Sequence, residues 1–199
     1  MAQVHETAEV SEKAGIGEGT KVWNFSQVRE GASIGSNCIL GKNVYIDTGV
    51  KIGSSCKIQN NSSIYHGTTI EDGVFIGPHV VLTNDKNPRA TTKEGKLRGE
   101  RDWKCGRILV KKGASIGARS VILPDITIGK NAMVGAGSVV TKNVADYELV
   151  YGNPARHQGY VCTCGEKIIS IEEKGSALIL NCGKCGEKIT SKRKNDTDI

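Results

Sequence analysis

Aromatic residues are scarce in this chain, at 5% of 199 residues, and no apolar run extends beyond a few positions. The short runs exclude a membrane-spanning segment of the usual helical kind. The start, Met1-Ala2-Gln3-Val4-His5-Glu6, offers neither a basic nor an apolar leader region. No secretory signal is therefore expected, and a cytoplasmic location is. Proline is rare as well, at four residues, whereas glycine reaches 25. Few rings and many glycines point to a repetitive core of small side chains with many tight turns. The seven cysteines are an odd number, and four of them fall within the last 40 residues. In a reducing compartment such a cluster suits metal ligation better than disulfides.

The chain holds a strict period of six. Every sixth residue from Val4 to Leu82 is Val, Ile or Leu, and the run resumes at Val110, Ile116, Ile122, Ile128, Val134 and Val140. Neither the helical period nor strand alternation produces this spacing. The fifth position of each hexad is small, as at Ala14, Thr20, Ser26, Cys38, Cys56 and Ser62. The fourth is mostly Gly, Asn or Asp, including Gly19, Asn37, Asn61, Gly67, Gly113, Asp125, Asn131, Gly137 and Asn143. These types tolerate positive φ, as a corner requires. Each hexad thus reads as one short strand plus one corner, and three hexads close a triangular coil of 18 residues. The expected fold is an all-β parallel β-helix over residues 1–156, with a small module over 157–199.

One insertion breaks the repeat, from 85 to 107. It carries eight Lys or Arg against four Asp or Glu, so most of the net charge of +6 lies there. A solenoid expels such a segment at a corner, often on its binding face. A phosphate-bearing ligand and a merely solvated loop are both compatible with this charge.

Residues 18 apart stack at one corner on successive coils. His66 and Asn84 form one such pair at the base of the loop, and Asn61 and His79 form another one corner away. An imidazole beside a charged loop is a candidate general base for an amine or hydroxyl nucleophile. An asparagine amide can polarise a thioester carbonyl but cannot be the base. His79 occupies a corner position that histidine also takes for backbone reasons. Cys38 and Cys56 read as core fillers, and Cys105, in the loop, has no evident activating partner.

The hexad pattern resembles the hexapeptide-repeat superfamily, mostly acyltransferases that work as trimers with active sites between subunits. That likeness implies a left-handed coil, a hand that periodicity alone does not fix. A narrower resemblance rests on Trp23, Lys57-Ile58-Gln59-Asn60-Asn61, Tyr65, Gly77-Pro78 and Thr83-Asn84-Asp85-Lys86-Asn87-Pro88-Arg89. With Gly135-Ala136-Gly137-Ser138-Val139-Val140-Thr141-Lys142 and Gly152-Asn153-Pro154-Ala155-Arg156, these segments resemble the WbpD/WlbB-type sugar N-acetyltransferases over roughly residues 1–160.

The resemblance implies acetyl transfer from acetyl-CoA to the 3-amino group of UDP-2-acetamido-3-amino-2,3-dideoxy-glucuronate, for surface glycans, by a homotrimer. It places Asn84 at the thioester, and Gln59, Asn60, Tyr65 and Arg89 toward the UDP-sugar. It places Gly117, Ala118, Ala136 and Lys142 along the pantetheine arm. A base at His66 comes from the residues and not from the resemblance, and a sugar amine that enters already neutral is the alternative. Ala145 stands where such enzymes commonly have proline, and Asp125 where glycine is usual.

In the tail, Cys162-Thr163-Cys164-Gly165 and Cys182-Gly183-Lys184-Cys185-Gly186 bracket two apolar stretches. Two knuckles on a hairpin read as a zinc ribbon with four thiolate ligands at Cys162, Cys164, Cys182 and Cys185. Such a site is coordinatively closed and structural. Seven basic against six acidic residues after Cys164 make no basic patch, so nucleic acid is not an expected partner. Three other readings compete with the 3-amino sugar. One is transfer to another nucleotide sugar or a hydroxyl acceptor, and another is a non-enzymatic assembly scaffold. The third is a γ-class carbonic anhydrase, which needs three zinc-bound histidines from a chain that has four in all.

Overall fold

The computed structural model describes residues 1–175 and 177–192. Three parallel sheets form the faces of a triangular prism. The first face begins with Gln3–Val4, Lys21–Val22 and Ile39–Leu40, the second with Glu9–Val10, Gln27–Val28 and Tyr45–Ile46, and the third with Gly15–Ile16, Ser33–Ile34 and Lys51–Ile52. Register advances by one coil at a time, as in Gln3↔Lys21 and Lys57↔Phe75. The fold is the parallel β-helix expected of the hexads. No helix among the described residues is long and apolar enough to cross a membrane.

The core is the column of first-position aliphatics. Leu40, Ile46, Ile58, Ile64, Ile76, Leu82, Ile116 and Ile122 are fully buried. The first coil is open to solvent, with Val4 46% exposed. Corners behave as their residue types require. Asn37, Asn43, Asn61, Asp125 and Asn131 take φ between 53° and 64°, and His79 takes 59°.

Asn143 departs from this scheme. Val144 bridges Ile128 and Val150 pairs Val134, so the last coil is sixteen residues long instead of eighteen. The left-handed residue falls at Tyr147, and the Asn143 side chain accepts the Thr127 N–H at 2.7 Å.

The small fifth position has a further reason. Its side chain donates to a corner carbonyl fifteen residues on: Thr20 to Gly35 at 2.7 Å, Ser26 to Gly41 at 2.7 Å, Ser62 to Gly77 at 2.8 Å and Ser120 to Gly135 at 3.0 Å. Cys38 and Cys56 make the same bond to Gly53 and Glu71, each at 3.1 Å. The same atoms accept an N–H from the next coil, as Ser62 does from Val80. These side chains therefore bridge coils where the strand ladder lapses. Thr68 and Ser138 depart from this. Thr68 lies in a strand paired in register with Ile108, whose N–H goes to the Gly67 carbonyl, and the buried Thr68 hydroxyl has no hydrogen-bond partner among the described residues, while Ser138 donates to the Gly135 carbonyl at 2.6 Å.

A Ser62→Ala substitution is expected to cost about 1–3 kcal/mol in a urea melt, because it strands a buried carbonyl and a buried N–H. Ser62→Cys should cost less, since cysteine already fills this role twice. Equal losses in the two variants would contradict the bridging account.

The coil ends in an antiparallel pair, Glu148–Gly152 with Ala155–Tyr160, so the first face runs past residue 156 to Tyr160. Beyond it Ser170–Lys174, Ala177–Asn181 and Lys188–Lys192 form a separate three-stranded antiparallel sheet. Its core of Tyr160, Ile168, Leu178, Leu180 and Ile189 packs against Tyr147 of the last coil. Residues 193–199 of the expected C-terminal module lie outside the described residues.

Candidate active site

The insertion leaves the solenoid at the corner between the second and third faces, after Val81–Leu82 and before Ile108–Val110. An antiparallel bridge between Asp85 and Cys105 closes its stem, and a Thr91–Leu97 bridge and a short 3-10 turn at Glu100–Asp102 shape it. Asp125, in the left-handed conformation, accepts the Arg107 N–H at 3.0 Å and pairs with Lys86 at 3.8 Å. The departure from glycine at this corner therefore anchors the loop. Among the described residues, Lys86 alone of the loop's eight cations is ion-paired.

His66 lies on the coil below. Its Nδ1 is 2.6 Å from the Thr48 carbonyl oxygen, and its backbone N–H donates to Asp47 Oδ2 at 3.1 Å. A carbonyl can only accept, so Nδ1 carries the proton and Nε2 is left with a free lone pair. The support continues downward. Thr48 donates to Glu30 Oε1 at 3.0 Å, and Arg29 binds Glu30 at 2.8 Å. The Arg29 guanidinium, with help from the Thr48 hydroxyl, pulls the Glu30 carboxyl down to about 2. Tyr45 donates to Asp47 at 2.9 Å, and its phenol is pushed up by burial. This platform was missed from the sequence, yet Thr48 and Glu30 stand 18 and 36 residues before His66.

Asn84 follows one coil later, half-buried, and its carbonyl accepts the Gly106 N–H at 2.8 Å. No hydrogen bond joins the Asn84 and His66 side chains. Between them runs the loop stem, where the Cys105 thiol donates to the His66 carbonyl at 3.4 Å. Burial pushes that thiol up, away from the reactive thiolate. Gly67 makes the crossing possible. Its φ is +89°, and a Cβ there would lie 2.5 Å from the Gly106 oxygen. His79 differs from His66, because the Asn61 amide reaches its Nε2 at 3.3 Å while Asn43 holds Asn61 at 3.0 Å. Its ring belongs to a corner ladder.

The remaining candidates divide between two corners. Tyr65, Arg89 and Lys142 share the loop corner with His66 and Asn84. Tyr65 packs against Tyr45 with ring centroids 5.7 Å apart, and Arg89 is exposed with its guanidinium on the Pro88 carbonyl. Gln59, Asn60, Gly117, Ala118 and Ala136 lie at the corner between the first and second faces. Asn60 Oδ1 there accepts the Lys42 N–H at 2.9 Å. A Cβ on Gly117 would lie 2.5 Å from the Ala136 nitrogen, so coil stacking alone demands glycine.

At the far end, the Sγ atoms of Cys162, Cys164, Cys182 and Cys185 all lie within 4.8 Å of one another. Cys162 and Cys185 are 3.5 Å apart, and Cys164 and Cys182 are 3.8 Å apart. A tetrahedron with Zn–S bonds of about 2.3 Å places its sulfurs roughly 3.8 Å apart, so the four residues fit such an ion. The Cys185 and Lys184 amides hold the Cys182 thiol down at about 7.

Fold and repeat together define a hexapeptide solenoid. A family model described as bacterial transferase hexapeptide (six repeats) matches residues 13–48, 49–84 and 107–142, stopping and restarting around the insertion. A second, hexapeptide repeat of succinyl-transferase, matches 31–66. The chain belongs to the bacterial hexapeptide transferase family. It is similar to a dTDP-3-amino-3,6-dideoxy-alpha-D-galactopyranose 3-N-acetyltransferase of Aneurinibacillus thermoaerophilus, at 44% identity over 79 residues. That match spans 40% of each chain, well under half of the curated relative's length.

Among solved structures, the acetyltransferase domain of PglB from Neisseria gonorrhoeae, in complex with acetyl coenzyme A, has a TM-score of 0.51 at 20% identity, covering 79% of this chain and 57% of that one. AntD, an N-acyltransferase from Bacillus cereus in complex with dTDP and coenzyme A, has a TM-score of 0.50 at 19% identity, covering 80% of each. At such identities the likeness is one of fold.

Proposed function

We propose that this protein transfers an acetyl group from acetyl-CoA to the 3-amino group of a nucleotide-linked amino sugar. The acceptor in this reading is UDP-2-acetamido-3-amino-2,3-dideoxy-glucuronate, made in the cytoplasm for a surface glycan. The observation that carries the chemistry is the His66 ring, with Nδ1 on the Thr48 carbonyl and Nε2 free, at the same corner as Asn84 and one coil before it, where the basic loop leaves the solenoid. Nε2 takes a proton from the neutral amine as it attacks, the ammonium proton having first gone to solvent. The nitrogen then adds to the thioester carbonyl, and the Asn84 amide donates to the oxygen as it gains charge. Collapse breaks the carbon–sulfur bond, and the proton held by His66 passes to the departing thiolate. The unpaired cations of the loop suit a diphosphate.

The TNDKNPR and KIQNN segments support the UDP-sugar, and the curated relative, a 3-N-acetyltransferase, supports a 3-amine as nucleophile. That relative's dTDP-sugar makes a deoxythymidine diphosphate amino sugar the second reading. Because the candidate residues divide between two corners, a homotrimer would complete the site by bringing one protomer's first–second corner to its partner's loop corner. In the C-terminal module we assign a structural zinc to the four cysteines, where it closes the knuckles and leaves no open position for substrate.

Thiol release from acetyl-CoA with UDP- and dTDP-linked 3-amino sugars tests the reading. Turnover is expected with the 3-amino compounds and not with sugars that lack the amine. Asn84→Ala should lower kcat by about 10²–10³-fold. A folded protein that turns over none of them would return the scaffold reading to the front.

A further inference from the structure

At several corners the backbone N–H of the third hexad position donates to the side chain stacked on it from the following coil. Ser36 donates to Ser54 Oγ at 3.1 Å, Lys42 to Asn60 Oδ1 at 2.9 Å and Ser54 to Asp72 Oδ1 at 2.7 Å. Thr48 holds the same position, and the residue stacked on it is His66. By that pattern the Thr48 N–H would donate to a ring nitrogen, as the Thr7 N–H does to His5 Nδ1 at 3.2 Å. The His66 ring would then carry its proton on Nε2 and have no lone pair to offer a substrate there.

The Thr48 N–H goes elsewhere. The Asp47 carboxylate, 16% exposed, accepts it on Oδ1 at 2.8 Å and accepts the His66 N–H on Oδ2 at 3.1 Å. One carboxylate thus clamps the backbone of both residues, one on each coil. The Tyr45 phenol adds a bond to Oδ1 at 2.9 Å, and Arg29, which holds Glu30, lies 3.9 Å from the same oxygen. With its N–H taken, Thr48 turns a carbonyl to the ring, and Nδ1 meets that oxygen at 2.6 Å.

We propose that Asp47 is a positioning residue for His66: by holding both N–H groups it leaves Thr48 only a carbonyl to offer the ring, and so fixes the tautomer with Nε2 unprotonated. The inference rests on His66 being the base of the proposed acetyl transfer. An asparagine at 47 has one acceptor oxygen for two N–H groups, and its nitrogen can only donate, so one N–H is left over. If that is the Thr48 N–H, the ring nitrogen becomes its acceptor and the ring proton moves to Nε2. If it is the His66 N–H, the ring loses its seat. Either way the imidazole stays in the site but presents the wrong nitrogen, or the right one in the wrong place.

The test reads tautomer and rate on the full-length protein. Ring-nitrogen NMR shifts of histidine-labelled protein, at a pH where the rings are neutral, should show His66 protonated on Nδ1. Asp47→Asn should make the Nε2-protonated form at least as populated as the other. Asp47→Ser, which also offers a single acceptor, should do the same and serves if Asp47→Asn does not fold. In these variants kcat should fall on the order of 10–10²-fold, with both KM values within about twofold. Added to His66→Ala, the same change should lower kcat by less than about twofold, because no base is left to position. An Nε2 proton in the unmodified protein, an unchanged Nδ1 proton in the folded Asp47 variants, or equal kcat losses with and without His66 would overturn the assignment. If no acceptor sugar is turned over, or the proton moves without loss of rate, the reading of His66 as base fails, while the tautomer still decides what Asp47 does.

Discussion

Replacing His66 with alanine is expected to lower kcat by about 10²–10⁴-fold with little change in the KM of either substrate. The expectation follows from the direction of the ring. A histidine whose Nδ1–H is spent on a carbonyl presents a basic Nε2, and this one is braced from below through Thr48, Glu30 and Arg29. The ring is exposed, so its removal should not unfold the coil. His66→Gln keeps polar bulk without a base and should be equally slow. His79→Ala is the contrast. The His79 Nε2 is already met by the Asn61 amide, so this variant should retain kcat within a few-fold. Steady-state kinetics on the three variants decide the matter. Near-normal kcat in His66→Ala would remove the imidazole from the chemistry and leave a substrate amine that arrives neutral.

Loss of the proposed zinc should have the second large effect. The module between Val161 and Lys192 has a core of a few side chains, among them Ile168, Leu178, Leu180 and Ile189, too small to hold a fold unaided. Where ligation supplies the stability, the binding free energy is the folding free energy. Cys185→Ser, or a strong chelator, should therefore take bound zinc from one equivalent to almost none. Hydrogen exchange of the Ser170–Lys174, Ala177–Asn181 and Lys188–Lys192 amides should rise to that of an unfolded segment. The coils from Val22 to Val140 are held by their own buried column and should keep their protection. Retained protection in the module after metal removal would show that its small core suffices.

The sequence carried the solenoid in its period of six, because each face of a triangular coil turns one branched aliphatic and one small residue inward at fixed places in the hexad. The expelled loop and the four-cysteine cluster were legible for the same reason, since each interrupts or follows a strict pattern. The hydroxyl and thiol bridges at the fifth position were not. Ser, Thr, Cys, Ala and Val all satisfy a small-residue pattern, and only the structure shows that three of these types donate to a carbonyl on the next coil. The shortened last coil was hidden too, because Asn143 is a good corner residue placed at the expected count. In the site, counting in eighteens paired His66 with Asn84 correctly by corner, but not by contact, since the loop stem passes between them. The same count, with the insertion removed, separates Gln59 and Gly117 from Tyr65 and Lys142. That division was available before any coordinates.

The most direct test of the central claim is the position of the transferred group. The protein would be incubated with acetyl-CoA and UDP-2-acetamido-3-amino-2,3-dideoxy-glucuronate, and the product examined by mass spectrometry and NMR. The account predicts a gain of one acetyl group on the 3-nitrogen, matched by one equivalent of free CoA. An unmodified sugar, or an acetyl group on a hydroxyl, would contradict it.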